Sequence, residues 1–192
     1  MRRKNIIRNW GTVYFMNEMI MIVNEKDEEL GFDEKLKVHK EGKLHRAFSA
    51  ILIDENGRML VQRRAKSKYH SGGLLSNSFC SHFRPGESVE TAINRAAKDE
   101  LGIAVSEYDE IGKFTYKVKL GELSEHEIDH VYVVKSNQAI QPNPAEVEDY
   151  QWMDVAACQK KLSQSKELYT YWFQLIMQNE SILNRILEKA NE

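Results

Sequence analysis

The stretch AILIDENGRMLVQ, residues 50–62, constrains the fold more than any other part of the chain. Two apolar runs, Ala50–Ile53 and Met59–Gln62, flank Glu55-Asn56-Gly57. Asn-Gly readily supplies the positive φ angles of a tight turn, so the pattern predicts a β-hairpin. Further on, SVETAINRAAKDELG predicts a helix closed by Gly102. Val89, Ala92, Ile93, Ala96, Ala97 and Leu101 recur at helical spacing and make one side apolar. EMIMIVNEKDEELG reads as a short strand and a charged turn, and KYHSGGLLSNSFCSHFRPGES as a loop with a short strand near 77–82. Strands are expected at 111–119, 131–134 and 150–152, with helix from about Leu162 onward in one or two pieces. Strands wrapped around helices make the fold class α/β (α+β).

At 192 residues, one domain with a sizeable core is expected. We read residues 19–192 as that domain and 1–18 as an N-terminal extension of unknown role, with Met16 or Met19 as alternative starts. A net charge of −2 without a long basic run argues against a nucleic-acid partner. Cys80 and Cys158 make no disulfide framework, which suits a reducing, cytoplasmic setting. No apolar run approaches the roughly 18 residues a membrane span needs, and the basic start lacks the apolar run of a signal peptide.

Four features carry possible chemistry. His126-Glu-Ile-Asp-His130 matches the zinc-protease pattern H-E-x-x-H. That site needs a helix, because the two histidines must share one face. Ile128, Val131, Tyr132, Val133 and Val134 favour a strand instead, in which Glu125, Glu127 and Asp129 face one way and His126, Ile128 and His130 the other. An exposed, charged strand entrance is the plain alternative. Glu100 lies in line with Val89, Ile93 and Ala96 on the apolar side of the predicted helix. Either the last turn emerges into solvent or this carboxylate faces a cation. Cys80 and His82 point the same way if their segment is a strand. Finally, His39, His45, His82, Glu125 and Glu127 together offer three imidazoles and two carboxylates, a set suited to Zn²⁺ or Mn²⁺. Convergence of these five is not visible in one dimension.

The order of parts supplies a resemblance. GFDEKLKVHKEGKLHRAFSAILID, LVQRRAKSKYHSGG, NSFCSHFRPGES, RAAKDELG, EHE and EDYQWMD together resemble type I isopentenyl-diphosphate isomerase of the Nudix superfamily, from about Met19 to Trp172. The ordered set C-x-H, E-L-G and E-x-E is the specific part. A general Nudix hydrolase box has G-x5-E-x7-R-E-U-x-E-E-x-G-U, where U is aliphatic. Glu87, Arg95, Glu100 and Gly102 fit it, whereas Ser81, Ala96 and Asp99 depart from it. Loss of two helix acids weakens a magnesium-dependent hydrolase reading, and the isomerase family shows a similar reduction.

The resemblance implies a mixed β-sheet sandwiched between helices and a single divalent metal, Mn²⁺ or Zn²⁺, held by His39, His45, His82, Glu125 and Glu127. It implies that Glu100 helps hold Mg²⁺ against the substrate diphosphate, and that Lys35, Arg64 and Lys68 face that diphosphate. Cys80 and Glu127 match the acid/base pair that interconverts isopentenyl and dimethylallyl diphosphate through a tertiary carbocation, with Tyr116 beside Glu127. Trp172 matches an aromatic that shields the cation. Packing is the plain alternative for Tyr116 and Trp172, and solvated charge for the basic residues. The expected partner is a small prenyl diphosphate, and the expected state a monomer or weak homodimer.

Three departures from the family stand out. Leu75-Ser76-Asn77 replaces Trp-Thr-Asn, Phe83 replaces a common Pro, and Ala96 replaces a basic residue. The first removes an aromatic wall from the prenyl pocket and the third a phosphate contact. Alternatives are therefore a Nudix hydrolase of a nucleoside diphosphate derivative, a non-catalytic Nudix-fold binder and, remotely, a zinc protease.

Overall fold

A computed structural model describes residues 18–136 and 138–192. The expected N-terminal extension lies outside the described residues, apart from Glu18. In chain order the elements are β1 (Met19–Val23), β2 (Glu29–Glu34), α1 (Lys35–Glu41), β3 (His45–Leu52), β4 (Met59–Arg64), β5 (Leu75–Ser76), β6 (Phe79–His82), α2 (Val89–Leu101), β7 (Glu107–Leu120), β8 (Leu123–Lys135), β9 (Val147–Met153), α3 (Val155–Gln164), α4 (Tyr171–Gln178) and α5 (Glu180–Ala190).

The Asn-Gly turn forms, but the predicted hairpin does not. Gly57 takes a φ of 71°, and Asp54 N–H donates to the Arg58 carbonyl at 2.9 Å. Beyond a single bridge between Ile53 and Met59 the strands part. β3 enters a six-stranded sheet ordered β2-β1-β3-β8-β7, with β6 also on β3, and β4 enters a separate sheet ordered β5-β4-β9. The cause lies in the apolar runs themselves. They do not alternate with polar residues, so each strand has two faces to bury and takes neighbours from distant parts of the chain. β3 runs parallel to β8 and β4 antiparallel to β9.

Burial on both faces makes the expected sandwich. Phe48, Ala50 and Leu52 of β3 pack with Ala92, Ile93, Ala96 and Ala97 of α2. Ile51 faces the other way, toward Trp172, Phe173 and Ile176 of α4 and Ile182 of α5. The α2 boundaries follow the sequence: the Ser88 side chain accepts from Thr91 N–H, and Gly102 closes the helix in the left-handed conformation.

β7 and β8 are longer than their apolar runs suggest and form one hairpin, paired from Glu107–Lys135 to Leu120–Leu123 with one register shift between Glu110 and Gly112. Charged residues extend both strands, so apolar content underestimates their length. The short helix α1 was not expected either. The Glu34 carboxylate caps its first turn, accepting from Leu36 and Lys37 N–H at 3.0 Å, and Gly42 ends it with a φ of 62°. C-terminal helix begins at Val155, earlier than expected, and comes as α3, α4 and α5 with a 3-10 turn at Lys166–Leu168. Among the described residues no helix is long and apolar enough to cross a membrane.

Gly102 tests this arrangement. Its φ is +68°, and a Cβ there would meet the Gln141 carbonyl oxygen at 2.6 Å. Gly102→Ala should lower unfolding free energy by about 1–3 kcal/mol, read as an earlier urea midpoint with an unchanged slope.

Candidate active site

β8 sets the site. The strand reading of its H-E-x-x-H segment holds, and the segment is not an exposed entrance: Glu125, Glu127 and Asp129 are all buried. Strand alternation sends these three carboxyls inward, while His126 and His130 bond elsewhere, to the Gly42 carbonyl and to Asp27 and Glu110. Register supplies the partners. Glu127 lies opposite His45 on β3 and opposite Tyr116 on β7, and His82 on β6 lies opposite Ala47 of β3. Helix α1 adds His39.

His39, His45, His82, Glu125 and Glu127 thus converge. One potential ligand atom from each lies within 4.8 Å of all the others. His39 Nε2 is 3.0 Å from Glu125 Oε2. His45 Nε2 is 3.3 Å from Glu127 Oε1, and His82 Nε2 is 3.0 Å from the same oxygen.

The hydrogen bonds behind the rings show why a cation fits. His39 Nδ1 sits 2.6 Å from the Lys35 carbonyl, and His45 Nδ1 2.8 Å from the Lys43 carbonyl. A carbonyl only accepts, so each Nδ1 carries a proton, and Nε2 is the ring atom that faces the cluster. Each Nε2 faces a carboxylate oxygen, and lone pairs meet there unless a proton or an ion lies between. His39 Nε2, His45 Nε2 and Glu125 Oε2 are buried without a hydrogen-bond partner. A proton or a metal ion between them resolves the conflict. Opposite ligands of a small divalent transition metal are about 4.3 Å apart, so a small contraction closes the set.

Electrostatics follow burial. For Glu125, burial opposes ionisation, but the contacts with His39 and His70 outweigh it and hold the carboxyl well below its usual range. For Glu127, burial and the nearby Glu125 charge oppose ionisation, and His45 and His82 still draw it below its usual value. Burial pushes the His82 imidazole down to about 4. Asp129 goes the other way: burial and the Glu127 charge raise it well above the ordinary range. It accepts from the Ser49 hydroxyl at 2.8 Å.

Around this cluster lie the remaining expected residues. The Tyr116 hydroxyl donates to Glu127 Oε2 at 2.7 Å, so the two Glu127 oxygens serve different partners. Cys80 and Glu100 are neighbours: the Cys80 N–H donates to Glu100 Oε1 at 3.3 Å. Burial, and then the Glu100 charge, push the Cys80 thiol far up, so it stays protonated. Glu100 is buried rather than emerging with the last turn. Gln62 donates to its Oε2 at 2.7 Å, and burial raises its pKa. Trp172 donates from Nε1 to Asn77 Oδ1 at 3.0 Å, and the Arg64 guanidinium carbon stands 5.3 Å from its ring centre.

Two expected diphosphate contacts hold carboxylates here. Lys35 pairs with Glu18 at 2.9 Å and Lys68 pairs with Glu146. Of the departures, Leu75 packs in the same apolar cluster as Trp172 and Tyr169. Phe83 stacks 5.3 Å from Phe48 on the opposite side of the sheet, and Ala96 is buried in α2.

Sequence reasoning missed His70. Its Nε2 lies 2.7 Å from Glu125 Oε1. A lone histidine in a glycine-rich loop carries no periodic signal, and its partner is 55 positions away. It also missed the link through Arg95, which bonds Glu87, the Ser81 hydroxyl and the His82 carbonyl, tying α2 to β6.

Comparison with known proteins places this geometry. The NUDIX domain family matches residues 43–173. An isopentenyl-diphosphate Delta-isomerase of Serratia proteamaculans is 40% identical over 165 residues, covering 85% of this chain and 92% of the relative. The chain belongs to the isopentenyl-diphosphate Delta-isomerases of the Nudix superfamily. Another family member, isopentenyl-diphosphate Delta-isomerase 1 of Aromatoleum aromaticum, is 40% identical over 178 residues, 92% of this chain and 97% of the relative. The fold recurs in a Deinococcus radiodurans crystal structure, with a TM-score of 0.69 at 21% identity over 83% of this chain and 97% of that one. It recurs also in a MutT NUDIX hydrolase of Burkholderia pseudomallei, with a TM-score of 0.58 at 17% identity over 72% and 98%.

Two outcomes are expected. Stripping metal with a chelator should lower the melting temperature, and returning Mn²⁺ or Zn²⁺ at a hundredfold excess over Kd should restore about 2.7 kcal/mol; Glu125→Gln should blunt that response. Glu18, drawn down to about 2 against burial by Lys35 and Arg84, should contribute stability above its unfolded value of 4.5 and lose it as pH falls toward about 2. Denaturant midpoints of wild type and Glu18→Gln should therefore differ near neutrality and converge in acid.

Proposed function

We propose that this chain interconverts isopentenyl and dimethylallyl diphosphate, using Cys80 and Glu127 as the acid/base pair. The observation that carries the reading is the protonation contrast between them. Desolvation holds the half-buried Cys80 toward the neutral thiol, while His45 and His82 draw the buried Glu127 toward the carboxylate. A donor and an acceptor in opposite states are what a proton-in, proton-out isomerisation requires. One proton is delivered to the alkene and forms a C–H bond with the π electrons. The tertiary cation then loses a proton from the neighbouring carbon, and that C–H pair becomes the new double bond. Tyr116 fixes Glu127 Oε2, leaving Oε1 toward the imidazoles. Trp172, anchored through Asn77, supplies a π face against the cation.

A divalent ion, Mn²⁺ or Zn²⁺, held by His39, His45, His82, Glu125 and Glu127 would supply positive charge that tunes the proton affinity of Glu127. Glu100 would hold Mg²⁺ against the diphosphate, with Arg64, Lys35 and Lys68 as counter-charges. For the two lysines this means exchanging Glu18 and Glu146 for phosphate oxygens. The substrate would be a small prenyl diphosphate met in the cytoplasm, with no nucleic acid or membrane required. A nucleotide hydrolase reading has less support: Ala96 is buried and Asp99 exposed, leaving Glu100 as the inward acid of the α2 box.

Purified protein with isopentenyl diphosphate and Mg²⁺ should yield dimethylallyl diphosphate. Cys80→Ala and Glu127→Gln should each lower kcat by at least about 10²-fold. No product under conditions in which a known isomerase works would sink the proposal, as would full activity in Cys80→Ala.

A further inference from the structure

The segment between β4 and β5, residues 65–74, carries a fourth imidazole to the edge of the cluster. Its ends are pinned: Arg64 N–H donates to the Leu74 carbonyl at 2.9 Å and Gly73 N–H to the Arg64 carbonyl at 3.0 Å. The His70 side chain is 8% exposed, and its Nε2 lies 2.7 Å from Glu125 Oε1. A carboxylate only accepts, so this Nε2 carries a proton. His70 therefore faces Glu125 as a donor from Nε2, and unlike His39 and His45 it has no backbone carbonyl at its Nδ1, which meets the Ser71 hydroxyl instead. The Ser71 hydroxyl lies 3.3 Å from His70 Nδ1, where it donates to the remaining lone pair. Ser71 holds a left-handed φ of 52°, a conformation that L-residues rarely adopt. On its other side, the His70 ring meets the Trp172 indole nearly perpendicular, with centres 5.8 Å apart at 89°.

We propose that His70 is a positioning residue: it holds one oxygen of Glu125, so that the other faces a metal ion, and it braces Trp172 beside the same site. The inference rests on the metal reading above. Glu125 has two oxygens and two sets of partners. With Oε1 engaged by His70, Oε2 is left beside His39 and His45, at 3.0 and 3.8 Å. A donor behind a ligating carboxylate removes its freedom to rotate and so favours binding through one oxygen. The contact with Trp172 carries that order from the ligand set to the aromatic wall.

The test is Co²⁺ titration of chelator-treated full-length protein, followed by visible absorption. His70→Phe keeps a ring against Trp172 and removes the donor. It should weaken Co²⁺ binding about 10–100-fold and shift the bound-ion spectrum. His70→Gln places an amide N–H near the lost Nε2 and should stay within about threefold of wild type. Wild-type affinity and spectrum in His70→Phe overturn the role of His70 alone. A wild-type chain that takes up no Co²⁺ overturns the metal reading and this role with it. Should His70→Phe fail to fold, His70→Gln against His70→Asn decides: the shorter side chain does not reach Glu125 and must bind more weakly, and equal affinities overturn the proposal.

Discussion

The arrangement depends on one electrostatic problem: carboxylates on a buried strand stay charged only because imidazoles from four other parts of the chain surround them. Glu125 and Glu127 stay ionised against burial because His39, His70, His45 and His82 surround them. Two unpaired buried carboxylates would cost several kcal/mol each. The strand, the short helix α1 and the loop before β5 therefore belong to one electrostatic unit. Each contributes a group that another element could not leave unmatched.

Packing holds that unit in place. β3 is sealed on one face by α2 and on the other by α4 and α5. It stands between β8 and β6, which bring the carboxylates and the Cys80–His82 strand to the same end. Arg95 links α2 to that end through the His82 carbonyl. On this frame the Nudix helix carries Ala96 and an exposed Asp99 at two box positions, while Glu100 remains inward. The clustered imidazoles and carboxylates lie on the sheet and on α1.

Much of this was legible in one dimension. The α2 boundaries were visible because Ser88, the 3.6-residue apolar rhythm and Gly102 are local signals. So was the grouping of Glu125, Glu127 and Asp129 on one face of β8, since alternation needs only a correct strand assignment, but not the burial of that face. The Asn-Gly turn was legible, yet its strands' partners were not. A turn residue specifies a local backbone angle, and only the demand for burial on both faces sends β3 and β4 to different sheets. The five clustered residues were nameable through resemblance, but His70 was not, because its significance lies wholly in a contact with Glu125.

The sequence by itself determined the local conformations, the inward faces and the family, because these depend on neighbours within a few residues and on an ordered set of motifs. Only the tertiary structure decided which imidazoles carry their protons at Nδ1, which carboxyls stay charged, and where Lys35 and Lys68 find partners. Those properties are set by desolvation and by distances between groups far apart in the chain, and neither exists until the sheet closes under its helices.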